Sequence, residues 1–121
     1  MYTFRFTLSF GDTFWKGNLN DYIKELARKI STETGGLNVQ RGTGFWRKDG
    51  NESNPPYTGN FQDERSVTFF VRVDANSKHK REEFLASIRS IFRDVSGKYF
   101  APVEWIDVEY YPVSTSHFSV N

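Results

Sequence analysis

The sequence predicts an α+β fold, with four antiparallel strands in one sheet, two helices on one of its faces, and the order βαββαβ. Three observations carry that expectation. Tyr2, Phe4, Phe6, Leu8 and Phe10 alternate with Thr3, Arg5, Thr7 and Ser9, the period of a strand with one buried and one polar face. Two later stretches repeat apolar residues at helical spacing. Each helical stretch lies between strand-like runs, which is the ferredoxin-like order.

Gly11-Asp12 ends the first strand. The first helix is expected to start at Asn18 or Asn20, either of which has the side chain to cap free N–H groups. Leu19, Tyr22, Ile23, Leu26, Ala27 and Ile30 share one face of it, and Gly35-Gly36 supplies a left-handed stop. A second strand is expected from Leu37 to about Arg47, with a bulge or a close backbone approach at Gly42 and Gly44. Asp49-Gly50 reads as a turn, and Asn51 to Asp63, with Pro55-Pro56, as a long polar loop.

The third strand is expected from about Ser66 to Asp74, with Val67, Phe69, Val71 and Val73 on one face and Thr68, Phe70 and Arg72 on the other. The second helix covers about Ser77 to Val95, with Phe84, Leu85, Ile88, Ile91, Phe92 and Val95 on its apolar stripe. Gly97 lies near its end. The last strand is expected from Val103 to Tyr111, with Trp105, Asp107, Glu109 and Tyr111 on one face. Residues 1–112 then form a single domain and 113–121 a tail. Right-handed crossovers place both helices on one face, the first and third strands at the centre and the fourth beside the first.

Composition narrows the function. There are no cysteines, which excludes disulfides, thiolate metal sites and thiol catalysis. Sixteen Lys and Arg face fifteen Asp and Glu, without the basic excess of a duplex-DNA binder. No apolar run spans a bilayer, and the alternating start Met1-Tyr2-Thr3-Phe4-Arg5 is no signal segment, so a cytoplasmic protein without membrane partners is expected. Aromatics make up 17% of the chain, more than a core of this size uses, so part of that surface is expected at an interface or a ligand site.

The stretches Phe6-Thr7-Leu8-Ser9-Phe10-Gly11, Gly36-Leu37-Asn38-Val39 leading to Gly44-Phe45-Trp46-Arg47, and Glu64-Arg65-Ser66-Val67 resemble a family of small ferredoxin-like bacterial proteins known only as a domain of unknown function. The likeness covers most of residues 2–111 and implies the fold. It implies no activity. The chain departs from the pattern in its longer insertion at Asn51 to Asp63 and in its tail.

The common catalytic signatures are missing. His79 and His117 stand far apart without carboxylates at ligand spacing, and Gly42-Thr43-Gly44 lacks the rest of either nucleotide fingerprint. No nucleophile-elbow serine or triad is present. No cofactor and no metal are expected. If the aliphatic residues face the helices, the open face carries Arg5, Arg72, Phe70, Trp105 and Tyr111 with Asp107 and Glu109. Its plain reading is a salt-bridge ladder, and its functional reading is a surface covered by a second copy or a ligand. A second candidate region mixes aromatics and cations at Trp46, Arg47 and Tyr57, with Trp15-Lys16 of similar chemistry.

The expectation is therefore a non-catalytic binding protein that works as a homo-oligomer and takes another protein or a small anionic, nucleotide-like ligand. Its general character suits a phage-type inhibitor that sequesters such a ligand or blocks a host defence protein. The residues expected to bind are Arg5, Trp46, Arg47, Tyr57, Arg72 and Trp105. Two alternatives are an enzyme of the dimeric α+β barrel type and an RNA-binding module. The latter lacks a stacking aromatic on the outer face of the first strand and a basic surround.

Overall fold

A computed structural model describes residues 1–10, 18–50, 54–101, 103 and 105–121. The elements are β1 (Tyr2–Phe10), α1 (Leu19–Thr34), β2 (Asn38–Arg47), β3 (Phe61–Val73), α2 (Lys78–Lys98) and β4 (Asp107–Pro112). All strand pairs are antiparallel and the sheet order is β2-β3-β1-β4, so the fold is the ferredoxin-like one. Among the described residues no helix is long and apolar enough to cross a membrane.

The two central strands supply the floor of the core. Phe4, Phe6, Leu8 and Phe10 of β1 and Val67, Phe69 and Val71 of β3 are buried beneath the helices. Burying side chains of this size stabilises by roughly 1.5–3 kcal/mol each. Phe4 meets Phe84 of α2 edge-on with centroids 4.8 Å apart, and Phe92 sits 5.7 Å from both Phe6 and Phe69. From α1, Tyr22, Ile23, Leu26 and Ile30 close the core, and the Tyr22 hydroxyl bonds the Ser96 hydroxyl at 2.7 Å across the helix pair.

The helix ends depart in part from expectation. Gly35 ends α1 at φ 79°, with its N–H on the Ser31 carbonyl at 2.8 Å. Asn18 occupies the N-cap, yet its side chain makes no cap bond. Asn20 accepts instead from the Arg41 guanidinium of β2, so neither asparagine caps with its side chain. On α2 the Ser77 hydroxyl accepts from the Lys80 N–H at 3.2 Å, a regular N-cap. Gly97 lies inside α2, which runs on to Lys98. The stop is built by Phe100 at φ 52°. Its N–H bonds the Gly97 carbonyl at 3.2 Å, and the Ala101 N–H bonds the Ser96 carbonyl at 2.8 Å. That is the Schellman pattern with an aromatic in the left-handed position that glycine usually takes.

The β2–β3 hairpin is longer than its polarity suggests. β3 starts at Phe61, five residues before the expected Ser66, because Gln62 to Arg65 pair with β2 despite their polarity. The pairing from Asn38↔Phe70 to Arg47↔Phe61 advances one residue at a time, without the bulge expected at the glycines. The close approach is what those glycines serve: a Cβ on Gly44 would lie 2.7 Å from the Trp46 ring. At the other edge β4 begins only at Asp107, four residues later than expected.

The left-handed backbone at Phe100 costs a non-glycine residue about 1–2 kcal/mol. Phe100 is 85% exposed, so little packing offsets the cost. Phe100→Gly is predicted to raise unfolding stability by about 1 kcal/mol, measured as a higher urea midpoint at unchanged slope.

Candidate functional site

The pleat of β1 sends Arg5, Thr7 and Ser9 away from the helices, and the register sets Phe70 and Glu109 on the two sides of Arg5. The Arg5 guanidinium stacks over the Phe70 ring at 5.1 Å, and its Nη1 donates to Glu109 Oε2 at 3.3 Å. The Arg5 side chain is 39% exposed, while its Nε is buried without a hydrogen-bond partner among the described residues. The Thr7 and Thr68 hydroxyls bond at 2.9 Å below it. Arg72 is exposed beside this group, opposite Thr3, whose other neighbour is Tyr111. Trp46 joins the same face through its pairing with Gln62, half-buried across Gly44.

Arg47 is one residue further on, so alternation turns it to the helix side of the hairpin. There its guanidinium lies 5.3 Å from the Phe61 ring, which stacks on Phe45 at 5.9 Å. Tyr57 is exposed in the loop beyond. Asp49 organises that loop by accepting from the Gly59 N–H at 2.7 Å and the Thr58 N–H at 3.1 Å. The Thr58 bond leads in holding the Asp49 carboxyl below its ordinary range.

Trp105 is the sequence-predicted residue that lands elsewhere. It precedes β4, so the alternation that would have put it on the open face does not reach it. It lines a cavity on the helix side, between α2, β4 and the segment joining them. This cavity holds about 940 Å³. Phe6 and Phe92 form its floor, Ile88 and Leu85 one wall, Val108 and Tyr110 the other, with Arg89 and Arg93 along α2. Sequence reading missed it. The available signal was the aromatic pair Phe100 and Trp105 flanking Ala101-Pro102-Val103-Glu104 after a helix.

The six expected residues thus divide among three places. Arg5, Arg72 and Trp46 share the open face, Arg47 and Tyr57 lie at the hairpin end, and Trp105 borders the cavity. Trp15-Lys16 lies outside the described residues. Elsewhere, Lys98 Nζ donates to Glu25 Oε1 at 2.7 Å, which keeps that largely buried carboxyl ionised below its ordinary range and ties α2 to α1. His79 is exposed and meets Glu83 at 2.8 Å. Among the described residues no three His, Cys, Asp or Glu side chains form a metal-holding group.

No protein-family model matches the chain, and no curated protein matches it. The bacterial resemblance therefore rests on its short motifs. Solved structures do share the fold. A phage SAM lyase in complex with S-methyl-5'-thioadenosine is 14% identical, with a TM-score of 0.53 over 91% of this chain and 79% of the other. An Arabidopsis thaliana protein is 11% identical, with a TM-score of 0.50 over 98% and 100%. The ATP complex of GlnK from B. subtilis is 12% identical, with a TM-score of 0.43 over 93% and 85%. At these identities the likeness to the lyase and to the Arabidopsis thaliana protein is one of fold alone.

The hairpin loop has a pH signature. The folded-state pKa of Asp49 lies below its ordinary 3.8, so its bonds to Thr58 and Gly59 contribute fully above that value. They are lost as pH falls through the lower, folded value. The Thr58 and Gly59 amide resonances are predicted to stay fixed from neutral pH to about 5 and then move together on acidification, with a midpoint below 3.8. Asp49→Asn should abolish that shared titration.

Proposed function

We propose that the chain is a non-catalytic binding protein that pairs with a second copy through its open sheet face and holds a nucleotide-like anion at that boundary. The observation that carries this reading is Arg5, set at the centre of the sheet, stacked on Phe70, with a buried Nε that has no partner among the described residues. An exposed pair such as Arg5–Glu109 stabilises by about 1 kcal/mol at most, so fold stability alone is a weak reason to keep an arginine there. Arg72 adds a second cation, and Phe70, Tyr111 and Trp46 add aromatic surface of the kind that another molecule covers.

A flat sheet gives a small ligand one wall. A second copy gives it the other, and two-fold pairing is the commonest arrangement of such assemblies. The face carries both signs, Arg5 and Arg72 with Asp107 and Glu109, so two copies can meet charge to charge. The fold likeness to a phage lyase bound to a nucleoside thioether supports a nucleoside-bearing ligand as the class to try first. In this reading the protein acts in the cytoplasm as a phage-type inhibitor that removes a nucleotide signal from use or blocks a defence protein.

The test joins assembly to ligand. Sedimentation equilibrium is predicted to give a dimer, and native mass spectrometry to release a nucleoside-containing anion. Arg72→Glu and Trp46→Ala should each weaken dimer and ligand by about tenfold or more, whereas Arg47→Ala, on the other side of the hairpin, should leave both intact. A monomer that binds neither AMP nor S-methyl-5'-thioadenosine would sink the reading. Production of S-methyl-5'-thioadenosine from added SAM would replace it with an enzyme.

A further inference from the structure

The helix side of β4 is unusually bare for a sheet face with helices on it. Val108 and Tyr110 point to that side, yet they are 42% and 50% exposed, because α2 lies over β1 and β3 and leaves the edge strand uncovered. The result is the 940 Å³ cavity, at the upper end of the usual 300–1,000 Å³ of small-molecule sites. We propose that it is a second binding site, separate from the open sheet face, built for an anion with one charged head and a bulky apolar body, such as an acyl carboxylate.

Charge selects an anion. Arg89 and Arg93 stand four residues apart on α2, one helical turn, so both heads reach the same rim. Arg93 contacts Asp94 through its Nε at 3.4 Å, an arrangement that leaves its two terminal nitrogens to donate. Among the described residues that line the cavity there is no carboxylate and no histidine.

The walls select the body. Phe6, Ile88, Phe92 and Val108 offer no hydrogen bonds, the Ser96 hydroxyl is already engaged by Tyr22, and the polar groups left in the lining, the Trp105 indole N–H and the Tyr110 hydroxyl, belong to exposed side chains. A nucleobase buried on that apolar floor would leave its polar edge unpaired, at roughly 1–3 kcal/mol per group. An alkyl or acyl body loses nothing.

The backbone points the same way. Phe100 adopts φ 52°, where glycine is easier, and still presents its ring to solvent at the cavity mouth, with Trp105 84% exposed nearby. The Schellman stop of α2 accounts for the left-handed backbone, and it sets an aromatic ring at the cavity mouth where glycine would present none. Two bare aromatics beside an apolar cavity gain contact area once a ligand lies between them.

The test is calorimetric titration of the full chain with dodecanoate and with dodecanol. Dodecanoate is expected to bind about tenfold or more tightly than the alcohol, with the Val108 and Tyr110 amide resonances shifting on binding. The double variant Arg89→Gln/Arg93→Gln is expected to lose that preference while binding dodecanol as before. Both arginines are solvent-facing, so its thermal midpoint should stay within a few degrees of the parent. Trp105→Ala should weaken both ligands, and Arg72→Glu should change neither, which separates this site from the open face. No binding of dodecanoate, equal binding by the double variant, or AMP competing for the same arginines would overturn the proposal.

Discussion

A strand at the centre of a sheet must satisfy hydrogen-bonding neighbours on both edges while its side chains divide strictly between two faces. β1 lives under that constraint along most of its length. It pairs with β3 from Tyr2↔Val73 to Phe10↔Arg65 and with β4 from Tyr2↔Pro112 to Thr7↔Asp107. A slip of one residue would drive Arg5 and Thr7 into the core and expel Phe4, Phe6 and Leu8. The register is therefore held by apolar burial on one side and displayed as polar chemistry on the other. Arg5 meets Phe70 and Glu109 because Phe4 and Phe6 must meet the helices.

The two faces of the sheet then acquire different characters. The outer one is charged in both signs and aromatic, and among the described residues no element lies across it as a second wall. The inner one is closed by helices over β1 and β3 but open over β4, where a short edge strand leaves apolar floor beside two arginines. The first geometry suits a partner of comparable size, and the second suits a small molecule with a long apolar part. Neither depends on the other, since Phe6 and Arg5 point in opposite directions from the same strand.

Much of this was legible in the sequence. The alternation of residues 2–10 has no competing period, so β1 and its two faces could be read residue by residue. The apolar face of α1 and its stop at Gly35 were equally plain, because helix ends follow local chemistry. Local chemistry also explains what was misread. Phe61 to Asp63 look like loop because strand propensity is blind to a partner strand that supplies the pairing. Trp105 was assigned by extrapolating the alternation of β4 two residues beyond the strand. Asn18 has the right side chain for a cap, but the side chain makes no such bond. The cavity was invisible because it arises from where an edge strand begins, which no periodicity encodes.

The chain closes its sheet over very different spans. β2 and β3 are joined by thirteen residues and form a hairpin whose ends meet at small entropic cost. β4 must find β1 from the far end of the domain, pairing residue 112 with residue 2. Contacts of that sequence separation are slow to form, so the outer strand is expected to dock after the rest of the sheet is assembled. Its six residues hold it by one edge only. The wall formed by Val108 and Tyr110 is thus borne by the strand that joins the sheet across the longest stretch of chain, so the cavity takes its shape only when the two ends of the domain have met.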